Sequence, residues 1–197
     1  MHEAHATGEF FLKMENLDHH AICPECGVVE SIEHIMLECQ IPAAEEVWRT
    51  AKRVWEEAGE EWPSVNYDII LGCGLTRPAK KTKMTSGRNR LFSKLISEGS
   101  LLIWKLRNER RLQKADDESK YHSLSEIRNR FISIIEITKQ TDITCTNVGR
   151  FGKKAIPRRI VQDTWSKEEE TSKIPYREWV ERAQTEQAGV LVSSGMG

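Results

Sequence analysis

Cys23, Cys26, His34 and Cys39 are the side chains of this sequence best placed to do chemistry together. Two, seven and four residues separate them in turn, giving Cys-x2-Cys-x7-His-x4-Cys. Zinc takes four tetrahedral sulfur or nitrogen ligands, and a two-residue gap lets both thiolates reach one ion from a single turn. An isolated Cys-x-x-Cys would also suit a redox pair. A histidine and a third cysteine following so closely favour a metal. Four protein ligands leave no open position for water or substrate, so the expected ion is a structural Zn2+ that catalyses nothing.

Other signatures of chemistry fail on their spacing. In His2-Glu3-Ala4-His5 the second histidine comes one residue too early for a helical zinc-protease pair. Pro24 follows Cys23 instead of preceding it, against the deaminase pattern. Gly72-Cys73-Gly74 is too short for a phosphate loop, and no phosphate-binding lysine follows it. Glu45/Glu46 and Glu56/Glu57 fall on a helix with an apolar opposite face, which makes them solvated surface. His19 and His20 are expected to face solvent, and Cys73 and Cys145 to be small core or half-exposed thiols. No catalytic residue is expected, and therefore no enzyme.

Charge is segregated along the chain. A formal net charge of -1 over 197 residues conceals -10 in residues 1–62 and +13 in residues 77–159. Such a basic block is the footprint of polyanion contact, in which displaced counterions supply affinity without sequence preference. The candidate nucleic-acid contacts are Lys80, Lys81, Lys83, Arg88 and Arg90 on a loop, and Lys105, Arg107, Arg110, Arg111 and Lys114 at the end of a helix. Arg150, Lys153, Lys154, Arg158 and Arg159 form a third group. Glu25, Glu30, Glu33 and Glu38 make the knuckle itself acidic, so the metal is expected to organise the fold while the basic helices bind an RNA or DNA backbone. The alternative is a protein-interaction module built on the acidic zinc unit. No apolar run spans a bilayer and no secretory signal opens the chain, so no membrane is expected; with no catalytic residue, no small-molecule substrate is expected either. Nucleus or cytoplasm is the expected location, and reducing conditions there favour thiolate ligands over disulfides.

These residues need a helical frame. Phe10, Phe11, Met14 and Leu17 suggest a short amphipathic helix within residues 1–20. Residues 21–62 form the zinc module: Gly27 supplies a positive φ, Ser31 caps the turn carrying His34, and a helix opens at Pro42 and stops at Gly59. Residues 63–145 form a helical region. Within it, 65–74 is open between strand and helix, and a basic loop precedes a stripe from Leu91 to Leu106 that ends near Lys114, with Gly99 as a close-packing point. Ser123 and Glu126 suggest a capping box opening a second helix antiparallel to the first. Periodicity fades over 146–197, where a partly disordered tail with a short helix at 176–183 is expected. The expected fold is mostly α, a small zinc knuckle followed by a helical bundle-like region and a poorly ordered tail.

The Cys23-x2-Cys26-x7-His34-x4-Cys39 spacing, the tryptophan-bearing helix after it, Ile70-Leu71-Gly72-Cys73-Gly74-Leu75 and Leu101-Leu102-Ile103-Trp104-Lys105-Leu106-Arg107 together resemble the carboxy-terminal region of fungal non-long-terminal-repeat retrotransposon polyproteins. The resemblance extends from about Ala6 to Asp163-Thr164-Trp165-Ser166 and Gly189-Val190-Leu191-Val192, with the zinc spacing its most specific part. It implies a zinc-binding segment associated with reverse transcriptase and ribonuclease H, here without either catalytic domain. The first twenty residues would be a remnant of the junction after ribonuclease H. The implied partner is a retroelement ribonucleoprotein; the intact polyprotein would be the enzyme and this chain only its tail.

Overall fold

The computed structural model describes residues 7–79, 85–166 and 174–193. The protein is mostly helical, and among the described residues the one piece of β pairing is an isolated antiparallel bridge between Ile22 and Val29.

Helix α1 is a single turn, Gly8–Phe11, shorter than the apolar spacing suggests. Phe10 and Met14 stay 46% and 41% exposed, so the stripe has no core to lie on and the chain turns away at Asn16 with φ +63°. Helix α2 runs Pro42–Glu57, and the chain leaves it through Gly59 at φ +83°. The segment left open between strand and helix contains α3, Tyr67–Leu71, capped by Asn66 Oδ1 accepting from the Ile69 amide at 2.9 Å. Helix α4 runs Thr85–Asn108 and continues as a π-helical turn, Glu109–Gln113, with Lys114 as its cap. Helix α5 is Leu124–Thr144, with Ser123 Oγ accepting from the Glu126 amide at 3.2 Å. The Glu126 carboxylate does not close a capping box but turns to His122 Nδ1 at 2.5 Å.

Helices α2, α4 and α5 share one core. Trp55 meets Phe92 edge-on with ring centroids 5.3 Å apart, and both are fully buried, as is Phe131 from α5. Each such side chain contributes roughly 1.5–3 kcal/mol on burial. The close approach expected at Gly99 is real: a Cβ there would fall 2.8 Å from Cζ3 of Trp48. Glu46, expected at the surface, is fully buried. Its carboxylate takes Arg49 Nη1 at 2.5 Å and Arg128 Nε at 2.7 Å, so both oxygens are charge-paired and α2 is tied to α5.

Ion pairs show that α4 and α5 run antiparallel. Arg90 near the start of α4 grips Asp142 near the end of α5, while Glu109 just beyond α4 takes Arg130 at 2.6 Å and His122 at 2.8 Å. Hydrogen bonding from Arg130, with help from His122 and against the cost of burial, holds the Glu109 carboxyl at about 2. A carboxyl lowered from its ordinary 4.5 stabilises the fold above that pH and loses its contribution as pH falls toward 2. Glu109→Gln should therefore lower the urea midpoint at neutral pH, and the gap to the unsubstituted protein should close on acidification. A gap that stays constant from neutral pH to the acid limit would show that the pair is not its source.

Part of the region with faded periodicity is packed. Helices α6 (Val148–Phe151), α7 (Arg158–Trp165) and α8 (Tyr176–Ser193) follow α5. In α7, Val161 and Thr164 are fully buried and Trp165 Nε1 donates to Asp142 at 2.8 Å. A Cβ on Gly87 would lie 2.5 Å from the Asp163 carbonyl carbon, so α7 rests directly on the start of α4. Expected disorder at 167–173 and 194–197 lies outside the described residues.

Candidate metal centre

The knuckle begins with the Ile22–Val29 bridge. Cys23 N donates to Val28 O at 2.8 Å and Gly27 N to Cys23 O at 2.9 Å, and Gly27 takes φ +68° to close the turn. Ser31 Oγ accepts from the His34 amide at 2.9 Å and starts the helical turn that presents the imidazole. That turn, His34–Glu38, is π-helical, closed by Cys39 N donating to His34 O at 2.8 Å. In an α-helix, positions five apart would diverge by about 140° around the axis. The wider turn narrows that angle and brings His34 and Cys39 to one side.

The four side chains converge, with all their ligand atoms within 4.8 Å of one another, close enough to hold a metal ion. Cys23 Sγ lies 3.8 Å and Cys26 Sγ 4.0 Å from Cys39 Sγ. A disulfide would need about 2.05 Å, whereas sulfurs bound at about 2.3 Å to one tetrahedral ion sit about 3.8 Å apart. Independent support comes from His34, which is 4% exposed and whose Nε2 is buried without a hydrogen-bond partner. Its Nδ1 lies 3.8 Å from the Glu38 carboxylate, which leaves Nε2 as the atom free to coordinate. The Gln40 amide donates to Cys26 Sγ at 3.3 Å, a contact that favours a thiolate. Burial, reinforced by the neighbouring Cys23 and Cys26 thiols and opposed by the Ile41 amide, pushes the Cys39 thiol up to about 12. A divalent cation reverses that preference, because only the thiolate binds it. Cys73 and Cys145 are half-buried thiols outside this group. His2 and His5 lie outside the described residues.

A second cluster, unsuspected from the sequence, docks the knuckle onto the bundle. Glu30, expected among the displayed acidic residues, is 1% exposed. Arg107 Nε donates to it at 3.0 Å, and Arg107 Nη2 contacts the same oxygen, Oε2. Arg110 Nη2 lies 3.6 Å from its other oxygen, and Arg111 Nε 4.0 Å from Oε2. Arg111 also reaches Asp116 at 3.0 Å and the His20 carbonyl at 2.8 Å. The His20 ring packs 5.5 Å from Phe11; burial, then His19 and the nearby arginines, lower its pKa.

Of the ten basic residues in the first two groups expected to grip nucleic acid, six are therefore committed elsewhere. Arg107, Arg110 and Arg111 are at most 7% exposed. Arg88 is 2% exposed and donates to the Ser166 carbonyl at 2.6 Å. Arg90 forks onto Asp142, and Lys114 Nζ sits 2.9 Å from His122 Nε2. A guanidinium is the cation best suited to interior carboxylates and carbonyls, which explains why these arginines face inward. Lys105 is exposed, and Lys80, Lys81 and Lys83 lie outside the described residues. The third group differs: Arg150, Lys153, Lys154, Arg158 and Arg159 are all exposed. Among them only Arg159 has an ion pair to a described residue, Asp163 at 3.5 Å. Asn147 capping α6 and Ile156 N donating to Cys145 O at 3.0 Å hold their loop. Among the described residues, no helix is long and apolar enough to cross a membrane.

Comparisons with protein-family models, curated proteins and solved structures return no match for this chain.

Proposed function

We propose that this chain is a non-catalytic accessory module, organised by one structural Zn2+, that binds the backbone of RNA or DNA. Three thiolates and an imidazole suit zinc, and four protein ligands close its coordination shell. The observation that carries the nucleic-acid reading is the exposed group from Arg150 to Arg159, five cations in a stretch with no acidic residue between Asp142 and Asp163. Arg158 stacks on Tyr176 with its guanidinium carbon 5.5 Å from the ring centroid, which leaves donors at its edge for a phosphate. The contact surface thus moves from the end of α4 to the α6–α7 loop. The resemblance to the carboxy-terminal region of retrotransposon polyproteins fits such a role beside a polymerase acting on RNA and DNA.

Fluorescence anisotropy with random-sequence RNA and duplex DNA at two salt concentrations tests the proposal. Binding should weaken steeply with salt, by about 0.9 in logarithmic slope for each duplex phosphate contacted. Changing Lys153, Lys154, Arg158 and Arg159 together to glutamine should flatten that slope and cost at least about tenfold in affinity. Changing the exposed Lys52 and Arg53 of α2 should do neither. No binding at low salt, or binding indifferent to salt, would sink the proposal.

A further inference from the structure

The acidic end of the molecule carries a surface that neither the metal nor the basic loop uses. At the short ribbon of the knuckle Ala21, Cys23 and Glu30 are buried, whereas Ile22 and Val29 are 37% and 43% exposed and the neighbouring Val28 is 45% exposed. Phe10 within α1, and Leu12 and Met14 after it, are 46%, 53% and 41% exposed. Helix α1 begins beside Val29, since a Cβ on Gly8 would meet Val29 Cγ1 at 2.4 Å.

The backbone of this ribbon leaves its outward-facing groups open at the central pair. Bonds from Glu30 N to Ala21 O at 2.9 Å and from Cys23 N to Val28 O at 2.8 Å bracket the Ile22–Val29 pair. In that antiparallel pattern the bracketed residues direct their own N–H and C=O groups away from each other. The Gly8 amide donates to Glu30 O at 2.8 Å, and a Cβ there would lie 2.9 Å from Ala21 O, so the start of α1 sits against the Ala21–Glu30 end of the ribbon. The Ile22 N–H and C=O bond to no described residue. Charge around the face is one-sided. Residues 7–40 hold seven carboxylates against Lys13 as the one lysine or arginine, and of the seven only Glu30 is buried.

We infer that this face is a docking site for an extended, basic and apolar segment of a protein partner, which adds a strand along Ile22 and lays alternate apolar side chains beside Ile22 on the face it shares with Val29. Main-chain pairing supplies affinity and register, the apolar face selects alternate positions, and the surrounding carboxylates select lysine or arginine between them. The same carboxylates repel nucleic acid, so this surface and the basic loop would engage different partners.

The test uses the full, zinc-loaded chain and fluorescein-labelled short peptides of alternating valine and lysine, serine and lysine, or valine and glutamate. The valine-lysine peptide should bind at least about tenfold tighter than either control. Ile22→Pro, which removes the outward amide at an exposed edge position, should weaken binding by a comparable factor while one-to-one zinc is retained. Ile22→Thr, which keeps that amide, should lose less. Equal binding of both lysine peptides would reduce the face to bulk electrostatics and overturn the proposal. So would binding of the valine-glutamate peptide, competition by random RNA, or self-association of the chain that occupies the face. If Ile22→Pro fails to fold, the comparison among peptides on the unsubstituted chain still decides the matter.

Discussion

Cys26→Ser should leave the protein without bound zinc and unfold residues 21–40. Serine nearly matches cysteine in size, and Cys26 is only half-buried, so packing changes little and the lost ligand dominates. Structural zinc supplies roughly 10–16 kcal/mol of apparent binding energy in small modules, against a net stability of about 5–15 kcal/mol for a whole domain. Loss of the ion therefore outweighs any local contact that could keep the knuckle folded. The knuckle has little else: its one β bridge is isolated, and Ile22, Val28 and Val29 all face water. Elemental analysis should show stoichiometric zinc in the unsubstituted protein and none in the variant. Hydrogen exchange should show protection lost across 21–40 and largely kept in α2, α4 and α5. Cys73→Ser should change neither measurement. One-to-one zinc in Cys26→Ser, or full protection of 21–40 in strong chelator, would refute the assignment.

What was legible in the sequence was mostly local. The metal ligands are readable because a knuckle and one helical turn deliver all four within residues 23–39. Pro42, Ser123 and Gly99 act on their own or an adjacent helix, so residue type alone announces them. The inward direction of the arginines is hard to read because charge says nothing about direction. Ile103, Leu106 and Arg110 fall on one helical stripe, so the sequence does show that Arg110 continues the buried face; the π-helical turn at Glu109–Gln113 then carries Arg111 inward with it. The partner that makes this burial tolerable, Glu30, is 77 residues from Arg107 and sits in an acidic segment where nothing distinguishes it. Helix α7 escaped notice for a related reason. Its buried residues include Gln162, Asp163 and Thr164, so hydropathy is silent, and the contact depends on Gly87 lacking a side chain.

Glu30→Ala should destabilise the protein by about 3–5 kcal/mol, the usual cost of removing one partner from a buried ion pair. Arg107, Arg110 and Arg111 would keep their positions at the end of α4 with Asp116 as their remaining carboxylate contact in the cluster. The attraction lost is only part of that cost; the rest is the desolvation of guanidinium groups left without a counterion. Removing both members of the closest pair should then be milder than removing the carboxylate alone. In a double-mutant cycle, Glu30→Met with Arg107→Met should recover about 0.5–3 kcal/mol relative to the sum of the single changes. Metal retention should follow the same order, because Glu30 immediately precedes Ser31, the residue capping the turn that holds His34. Weaker docking of that turn raises the population of open knuckle, and zinc transfer to a competing chelator should quicken in Glu30→Ala and slow again in the double variant. Additive costs, with chelation rates unmoved by either change, would mean that the zinc knuckle and the helical bundle are held together by something other than this buried carboxylate.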